Sequence, residues 1–345
     1  MRMWFRPVKG IAFCIVAAFF GSQAMAQVQV KRSFPSAKRI SAFDNTTFCT
    51  AFLSDGSLLT IRDIPIVDLR DVDKIAFNPT GSSLALMRGK KPVSIYSFRD
   101  RNKKLFELKE QRKSKELKGR KNLNFFVPGP VGAELMKDAS KGDIVPVAMC
   151  YGADARNFLV SNSLGEIIVY DTKAYLPQAY IQGKAVATAI TMSPNNYFIA
   201  AGTGKNIDIW NFQTKELRTS LPMPAEVTEL VFSADASQMA GDKRLTIFDT
   251  KTWDKVDIFD KIGGTLTSPS FHPDGKYISV VKDGNAIVIM NLKNSVPEQT
   301  LDENPGGVTG SRFFVNKQTS DVFMLSNRAK GLVFWDANGL NPFFG

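Results

Sequence analysis

The chain has 345 residues, an excess of eleven positive charges, three cysteines and a single histidine. One histidine and so few cysteines leave almost nothing from which to build the common zinc sites or a histidine-activated Ser or Cys nucleophile. The length allows a sizeable core or two ordinary domains.

The amino end carries a leader pattern. Arg2, Arg6 and Lys9 precede an uncharged apolar run, Ile11 to Phe20, and Ala24-Met25-Ala26 places small residues at the two positions a signal peptidase reads. This predicts a signal peptide over 1–26, a mature chain from Gln27 and export to the periplasm or beyond. Ten apolar residues are about half of the roughly 20 that a stable membrane helix needs, so an uncleaved anchor is the weaker reading. The residue directly after the cleavage point is Gln27, not cysteine, which disfavours a lipid anchor there. The remaining 345 − 26 = 319 residues contain no other apolar stretch long enough to cross a bilayer.

Removing the leader takes three positive charges with it and leaves 11 − 3 = +8. Residues 99–121 hold eleven Lys or Arg against Asp100, Glu107, Glu110 and Glu116, a local 11 − 4 = +7. The rest of the mature chain is nearly neutral.

A short phrase then recurs: apolar strand, tight turn, second apolar strand, and an aromatic or Met followed by Asp or Asn. Its clearest copies end at Tyr170-Asp171, Trp210-Asn211, Phe248-Asp249, Met290-Asn291 and Trp335-Asp336, spaced by 40, 38, 42 and 45 residues. A period near 40 built of short strands suits the blades of a β-propeller. Within each unit the first turn resembles Phe271-His272-Pro273-Asp274-Gly275, repeated at Phe77-Asn78-Pro79-Thr80-Gly81 and more loosely at Met192 to Asn196 and Phe232 to Ala236. Proline presets φ there, and glycine accepts the positive φ of the reversal. Asp55-Gly56, Gly202-Thr203-Gly204 and Asp283-Gly284 are hairpin signals for the second turn. Strands such as Ile167-Ile168-Val169 and Ile287-Val288-Ile289 are apolar on both faces, as expected where a sheet lies between two others. Glu216 to Leu221 and Lys255 to Phe259 read as outer strands. Trp253-Asp254 falls out of phase and reads as a chance dipeptide.

Upstream, Phe48 to Phe52 with Leu58 to Asp63 makes one unit and Lys74 to Phe98 the next, giving seven in all. The basic stretch, taken as an insertion over 99–143, then lies between the second and third blades. Leu105 to Lys109 and Leu123 to Val127 compete for the outer strand of the interrupted blade, and Lys103 to Lys118 suits at best a weak amphipathic helix. Only nine residues follow Asp336. Val28 to Phe34 is therefore expected to supply the outer strand of the final blade and close the ring. The expected fold is all-β, a seven-bladed propeller over 27–345. Cys49 and Cys150 fall in non-neighbouring blades, beyond disulfide reach, and read as free buried thiols.

The strand-ending pairs, the turns and the spacing resemble the WD-repeat propeller family, over about residues 28–336. The family's Gly-His dipeptide is missing, so its His-Ser-Asp-Trp hydrogen-bond network cannot be placed on any blade. The resemblance implies a rigid, non-catalytic scaffold that presents loops and channel mouths to a partner protein. The alternative is a propeller enzyme, or a sugar- or metal-binding protein, acting at the central channel. Acidic residues such as Asp171, Asp249, Asp283 and Asp336 mostly sit at strand ends and turns, where turn chemistry explains them. His272 reads as a turn residue, and Trp210 and Trp335 as packing between blades. The Asn45-Thr46-Thr47 sequon is weak evidence.

No cofactor is expected. The proposed contact set is the basic arm, Lys103, Lys104, Arg112, Lys113, Lys115, Lys118, Arg120 and Lys121. Three readings compete for it: a solvated insertion, a docking surface for an acidic protein, or contact with an anionic surface. Nucleic acid is the weaker form of the last, because no aromatics are interleaved for stacking.

Overall fold

The computed structural model describes residues 29–34, 50–52, 58–60, 73–80, 82–97, 104–108, 144–241, 243–259, 262–301, 307–315, 320, 322–328 and 331–337. The leader over 1–26, the sequon at Asn45, Cys49 and most of the basic arm lie outside this set. Among the described residues there are strands and turns and no α-helix, and no helix is long and apolar enough to cross a membrane.

The strands form six four-stranded antiparallel sheets and one two-stranded sheet, β2 (Thr50–Phe52) with β3 (Leu58–Thr60). Sheet I holds β4 (Lys74–Phe77), β5 (Ser83–Met87), β6 (Val93–Ser97) and β7 (Lys104–Leu108). Sheet II holds β8 (Pro146–Tyr151), β9 (Asn157–Asn162), β10 (Glu166–Asp171) and β11 (Pro177–Gln182). Sheet III holds β12 (Ala189–Met192), β13 (Phe198–Gly202), β14 (Asn206–Asn211) and β15 (Leu217–Pro222). Sheet IV holds β16 (Leu230–Phe232), β17 (Gln238–Gly241), β18 (Thr246–Asp249) and β19 (Lys255–Ile258). Sheet V holds β20 (Leu266–Phe271), β21 (Tyr277–Lys282), β22 (Ala286–Asn291) and β23 (Val296–Leu301). Sheet VI holds β24 (Val308–Val315), β25 (Val322–Arg328) and β26 (Gly331–Asp336), with β1 (Gln29–Phe34) as its fourth strand.

In sheets I to V the four strands lie side by side in chain order. The first strands of successive sheets touch, β4 with β8, β8 with β12, β12 with β16, β16 with β20 and β20 with β24. The sheets thus follow one another in a propeller-like arrangement, joined along their first strands.

Their packing explains the doubly apolar strands. Successive residues of a strand face opposite sides. On β10, Ile168 and Tyr170 enter a core shared with Ile95 and Met87 of sheet I, while Ile167 and Val169 enter one shared with Ile199 and Trp210 of sheet III. The same division recurs between III and IV, IV and V, and V and VI. The residue before each strand-ending Asp or Asn always serves the interface with the preceding sheet. Tyr170, Trp210, Phe248, Met290 and Trp335 each fill one such core and are at most 8% exposed. Packing between sheets is thus the role of Trp210 and Trp335.

A second device recurs beside those residues. The pairing of third with fourth strand shifts register at Ile95/Tyr96, Val169/Tyr170, Ile209/Trp210, Ile247/Phe248 and Ile289/Met290. Bulges of this kind bend the bulged strand and increase its local twist. β1 pairs β26 from Gln29 opposite Asp336 to Phe34 opposite Leu332, with its own shift between Val30, opposite Trp335, and Arg32, opposite Phe334. The amino-terminal strand thus joins the last sheet in the same bulged register as the other fourth strands.

Of the readings of residues 103–118, the helical one needs correction. Residues 104–108, expected within the basic insertion and at best weakly helical, form β7 and pair with β6. Edge pairing supplies backbone partners that override the helix-forming preference of Lys, Leu and Glu. Of the rival outer strands, Leu105 to Lys109 is the one that overlaps β7. Trp253-Asp254 ends no strand, but Trp253 has a defined buried place, described below.

Sheets I and II also share a hydroxyl cluster. The Tyr175 hydroxyl lies 2.8 Å from that of Tyr151 and 3.0 Å from Ser83 Oγ. Cys150 is half-buried and forms no disulfide among the described residues. Replacing Tyr175 with Phe removes the shared partner from a buried site and is expected to cost about 1–2 kcal/mol in urea unfolding. A chain lacking residues 27–34 loses the fourth strand of sheet VI. Its melting temperature should fall by about 5 °C or more, the scale of a 2 kcal/mol loss in a chain of this size. An unaltered melting curve would show that β1 contributes no stability.

Candidate functional site

In sheets II to V the connection between third and fourth strand is built on its strand-ending Asp or Asn. Asp171 Oδ1 accepts from the backbone N–H groups of Lys173 and Ala174. Asn211 Oδ1 accepts from Gln213 and Thr214, Asp249 Oδ1 from Lys251 and Thr252, and Asn291 Oδ1 from Lys293. These are Asx turns, in which a short side chain satisfies the donors of a chain reversal. Four residues after each lies a residue with positive φ: Tyr175 (52°), Lys215 (62°), Trp253 (64°) and Ser295 (55°). Such a φ is uncommon outside glycine and marks a turn held by its surroundings.

The first turns obey a parallel rule. Ser193 Oγ donates to Asn195 Oδ1 at 2.7 Å and Ser233 Oγ to Asp235 Oδ1 at 2.6 Å. His272 takes the place of those serines, with Nδ1 2.7 Å from Asp274 Oδ1. It is fully buried and stands edge-on to Tyr277 and Phe313. The lone histidine is thus a turn and packing residue in this fold. The two kinds of turn lie together on one face. Thr172 N–H donates to Arg156 O, Phe212 N–H to Tyr197 O, Thr250 N–H to Ser237 O and Leu292 N–H to Lys276 O.

On this face a cleft of about 550 Å³ opens between sheets III and IV. Sheet III contributes Asn195, Phe198 and Arg218, and sheet IV contributes Asp235, Lys251 and Trp253. The Trp253 ring meets that of Phe198 edge-on, 5.0 Å between centroids at 83°. Trp253 is 7% exposed, and its Nε1–H has no acceptor. Tyr175, at the matching turn of sheet II, reaches back to sheet I in the same way but finds Ser83 and Tyr151 for its hydroxyl. The sequence showed this kinship in Asp171-Thr172-Lys173-Ala174-Tyr175 and Asp249-Thr250-Lys251-Thr252-Trp253. Aligning strand ends alone misses it.

Of the proposed basic contact set, only Lys104 lies among the described residues. Lys103, Arg112, Lys113, Lys115, Lys118, Arg120 and Lys121 lie outside them. Lys104 sits on β7, pairs with Glu107, and lines a depression of about 250 Å³ with Arg88, Lys91, Ser94 and Tyr96. Arg88 and Lys91 were not picked out in the sequence, because the β5–β6 turn that carries them is remote from the basic run. Among the described residues no group of three or more His, Cys, Asp or Glu side chains is placed to hold a metal.

The turn carboxylates are tuned by their donors. The Ala174 N–H, the largest influence, holds Asp171 below its ordinary range, helped by the N–H groups of Leu176 and Lys173. Burial works against ionisation at Asp235 and Asp274, but Ser233 and Ser237 outweigh it at the first and His272 and Lys276 at the second, so both are lowered. In the hydroxyl cluster, burial and then Tyr175 push the Tyr151 phenol well up.

No protein-family model matches the chain, and no curated protein matches it.

These shifts make stability depend on pH at both ends of the range. A lowered carboxyl contributes fully above its unfolded value of about 3.9, and the contribution is lost as pH falls through the folded value. A raised phenol contributes fully below about pH 10, and the contribution is lost as pH rises above that. Chemical unfolding against pH should therefore show a plateau that declines below about pH 4 and above about pH 10. Tyr151→Phe should flatten the alkaline decline, and Asp274→Asn the acid one.

Proposed function

We propose that this is an exported, non-catalytic interaction scaffold: a seven-bladed propeller of WD-repeat type whose basic arm docks an acidic partner protein, in the setting of a cell-envelope complex. Six four-stranded sheets plus the β2–β3 pair support the count of seven. The bulged pairing of β1 with β26 supports ring closure, because it reproduces the fourth-strand geometry of the other sheets. Export follows from the leader, and the scaffold role from the resemblance in strand ends and turns.

The observation that carries the docking surface is the depression formed by Arg88, Lys91 and Lys104 on sheet I. It lies where the basic run passes through β7, so Arg88 and Lys91, remote in sequence, stand beside Lys104, with Glu107, the partner of Lys104, also in the lining. Such a field attracts acidic partners and weakens with salt.

The test is capture from an envelope fraction with the mature chain, beside a variant in which Lys103, Lys104, Arg112, Lys113, Lys115, Lys118, Arg120 and Lys121 are changed to Gln. The expected result is an acidic protein retained by the native chain, released by raised salt and absent from the variant. Equal recovery by both, or by neither, would overturn the reading. A Ca²⁺-dependent rise in melting temperature would instead favour a channel metal site.

A further inference from the structure

The cleft between sheets III and IV is chemically unlike the basic depression. Arg218 and Lys251 are both exposed, and among the described residues neither side chain has a hydrogen-bond or ion-pair partner. The carboxylate nearest in kind, Asp235, is already served by Ser233 Oγ at 2.6 Å, Ser237 N–H at 3.0 Å and Ser237 Oγ at 2.8 Å. The cleft therefore offers two uncommitted cations beside an aromatic wall of Trp253 and Phe198. We propose that it is a second binding site, which takes an extended segment of a partner protein carrying a carboxylate next to an apolar side chain. This shares with the reading above only that the ligand is a protein, and it uses none of the basic arm.

Three observations converge on that ligand. The charge calls for an anion, and the guanidinium of Arg218 can hold a carboxylate through two parallel N–H groups. The edge-on Trp253 and Phe198 rings call for an apolar group beside that anion, which a free inorganic ion lacks. The volume, about 550 Å³, lies within the roughly 300–1,000 Å³ of pockets that enclose a small ligand and admits a few side chains.

The comparison with other turns marks the cleft as unfinished. Trp335, a strand-end indole, donates to Ser326 Oγ at 2.7 Å. Tyr175, which holds the turn position of Trp253, is bonded to two hydroxyls. Trp253 presents a buried donor with no acceptor, which native structures seldom leave without a reason. It stands in the wall of a cleft where two cations also lack partners among the described residues.

The experiment uses the mature chain in which the arm lysines and arginines above are already Gln, so that the arm cannot contribute. The probe is a terminally blocked octapeptide of alternating glutamate and leucine, compared with its glutamine counterpart and with inorganic phosphate. Binding is followed by calorimetry and by tryptophan fluorescence. The glutamate peptide should bind saturably and alter the fluorescence. The glutamine peptide should bind about tenfold more weakly or less, since a charge-assisted hydrogen bond is lost. Arg218→Gln with Lys251→Gln should weaken the glutamate peptide by at least about tenfold while leaving the melting temperature unchanged, because both side chains are exposed and unpartnered. Trp253→Phe should weaken it as well, by calorimetry.

Absence of saturable binding, equal binding of the two peptides, or indifference to the Arg218/Lys251 pair would overturn the proposal. Phosphate binding as tight as that of the glutamate peptide would reduce the cleft to an anion site and overturn the peptide assignment. Failure here leaves the arm-dependent capture untouched, and failure of that capture leaves this result untouched, so the two readings fall separately.

Discussion

Everything in this fold depends on the absence of a wet face on its sheets. A sheet such as II sends Ile168 and Tyr170 to one neighbour and Ile167 and Val169 to the other, so neither face can be left to water. An isolated sheet of this kind would expose two apolar surfaces, and only its neighbours remove them. Stability is therefore shared between sheets. The strand-end aromatic or Met is the clearest sign of this, since Tyr170, Trp210, Phe248, Met290 and Trp335 all close the interface behind their own sheet. Sheet VI obeys the same rule although its fourth strand comes from the opposite end of the chain.

The turns solve a different problem, and solve it locally. A carboxylate or amide two or three residues ahead of the donors it serves needs no help from another sheet, which is why Asp171, Asn211, Asp249 and Asn291 recur with so little variation. The position four residues later is left open. It holds tyrosine, lysine, tryptophan and serine in turn, all at similar positive φ. At this variable position the sheets differ: Tyr175 reaches back to the hydroxyls of sheets I and II, Lys215 lies over its neighbour Phe212, and Trp253 forms the wall of a cleft. A constant frame with a variable fourth residue lets one architecture carry unlike chemistry on the same face.

What could be read from the sequence divides along the same line. Strands, first and second turns and the role of Trp210 and Trp335 follow from periodicity within single units, and the pairing of Gln29–Phe34 with the last unit from the outer strand that unit lacks. The placement of 104–108 does not, because Lys-Leu-Phe-Glu-Leu satisfies helix and strand preferences alike and only the free edge of β6 decides. The cleft was hidden for a stronger reason. Arg218 and Lys251 are 33 residues apart, on different sheets, and each alone is an ordinary surface charge. Their significance comes from which sheet follows which, a relation that no local pattern records. Trp253 was legible in part, through the Asp-Thr-Lys phrase it shares with Tyr175, but its phase relative to the strand ends concealed it.

The contrast between Tyr175 and Trp253 also says why an unfilled donor is informative here. Both residues are buried at one turn position, both lean on the preceding sheet, and both carry a polar atom that water does not reach. At the first, Ser83 and Tyr151 are placed to receive it. At the second, the residue of sheet III that corresponds to Ser83 is Phe198, which offers a ring and no acceptor. Phe198 thus creates the apolar wall of the cleft and removes the partner of the indole in a single choice of side chain. A phenylalanine at 253 would have packed there without an orphaned donor. The cost of keeping an indole is the desolvation of its N–H, about 1–3 kcal/mol.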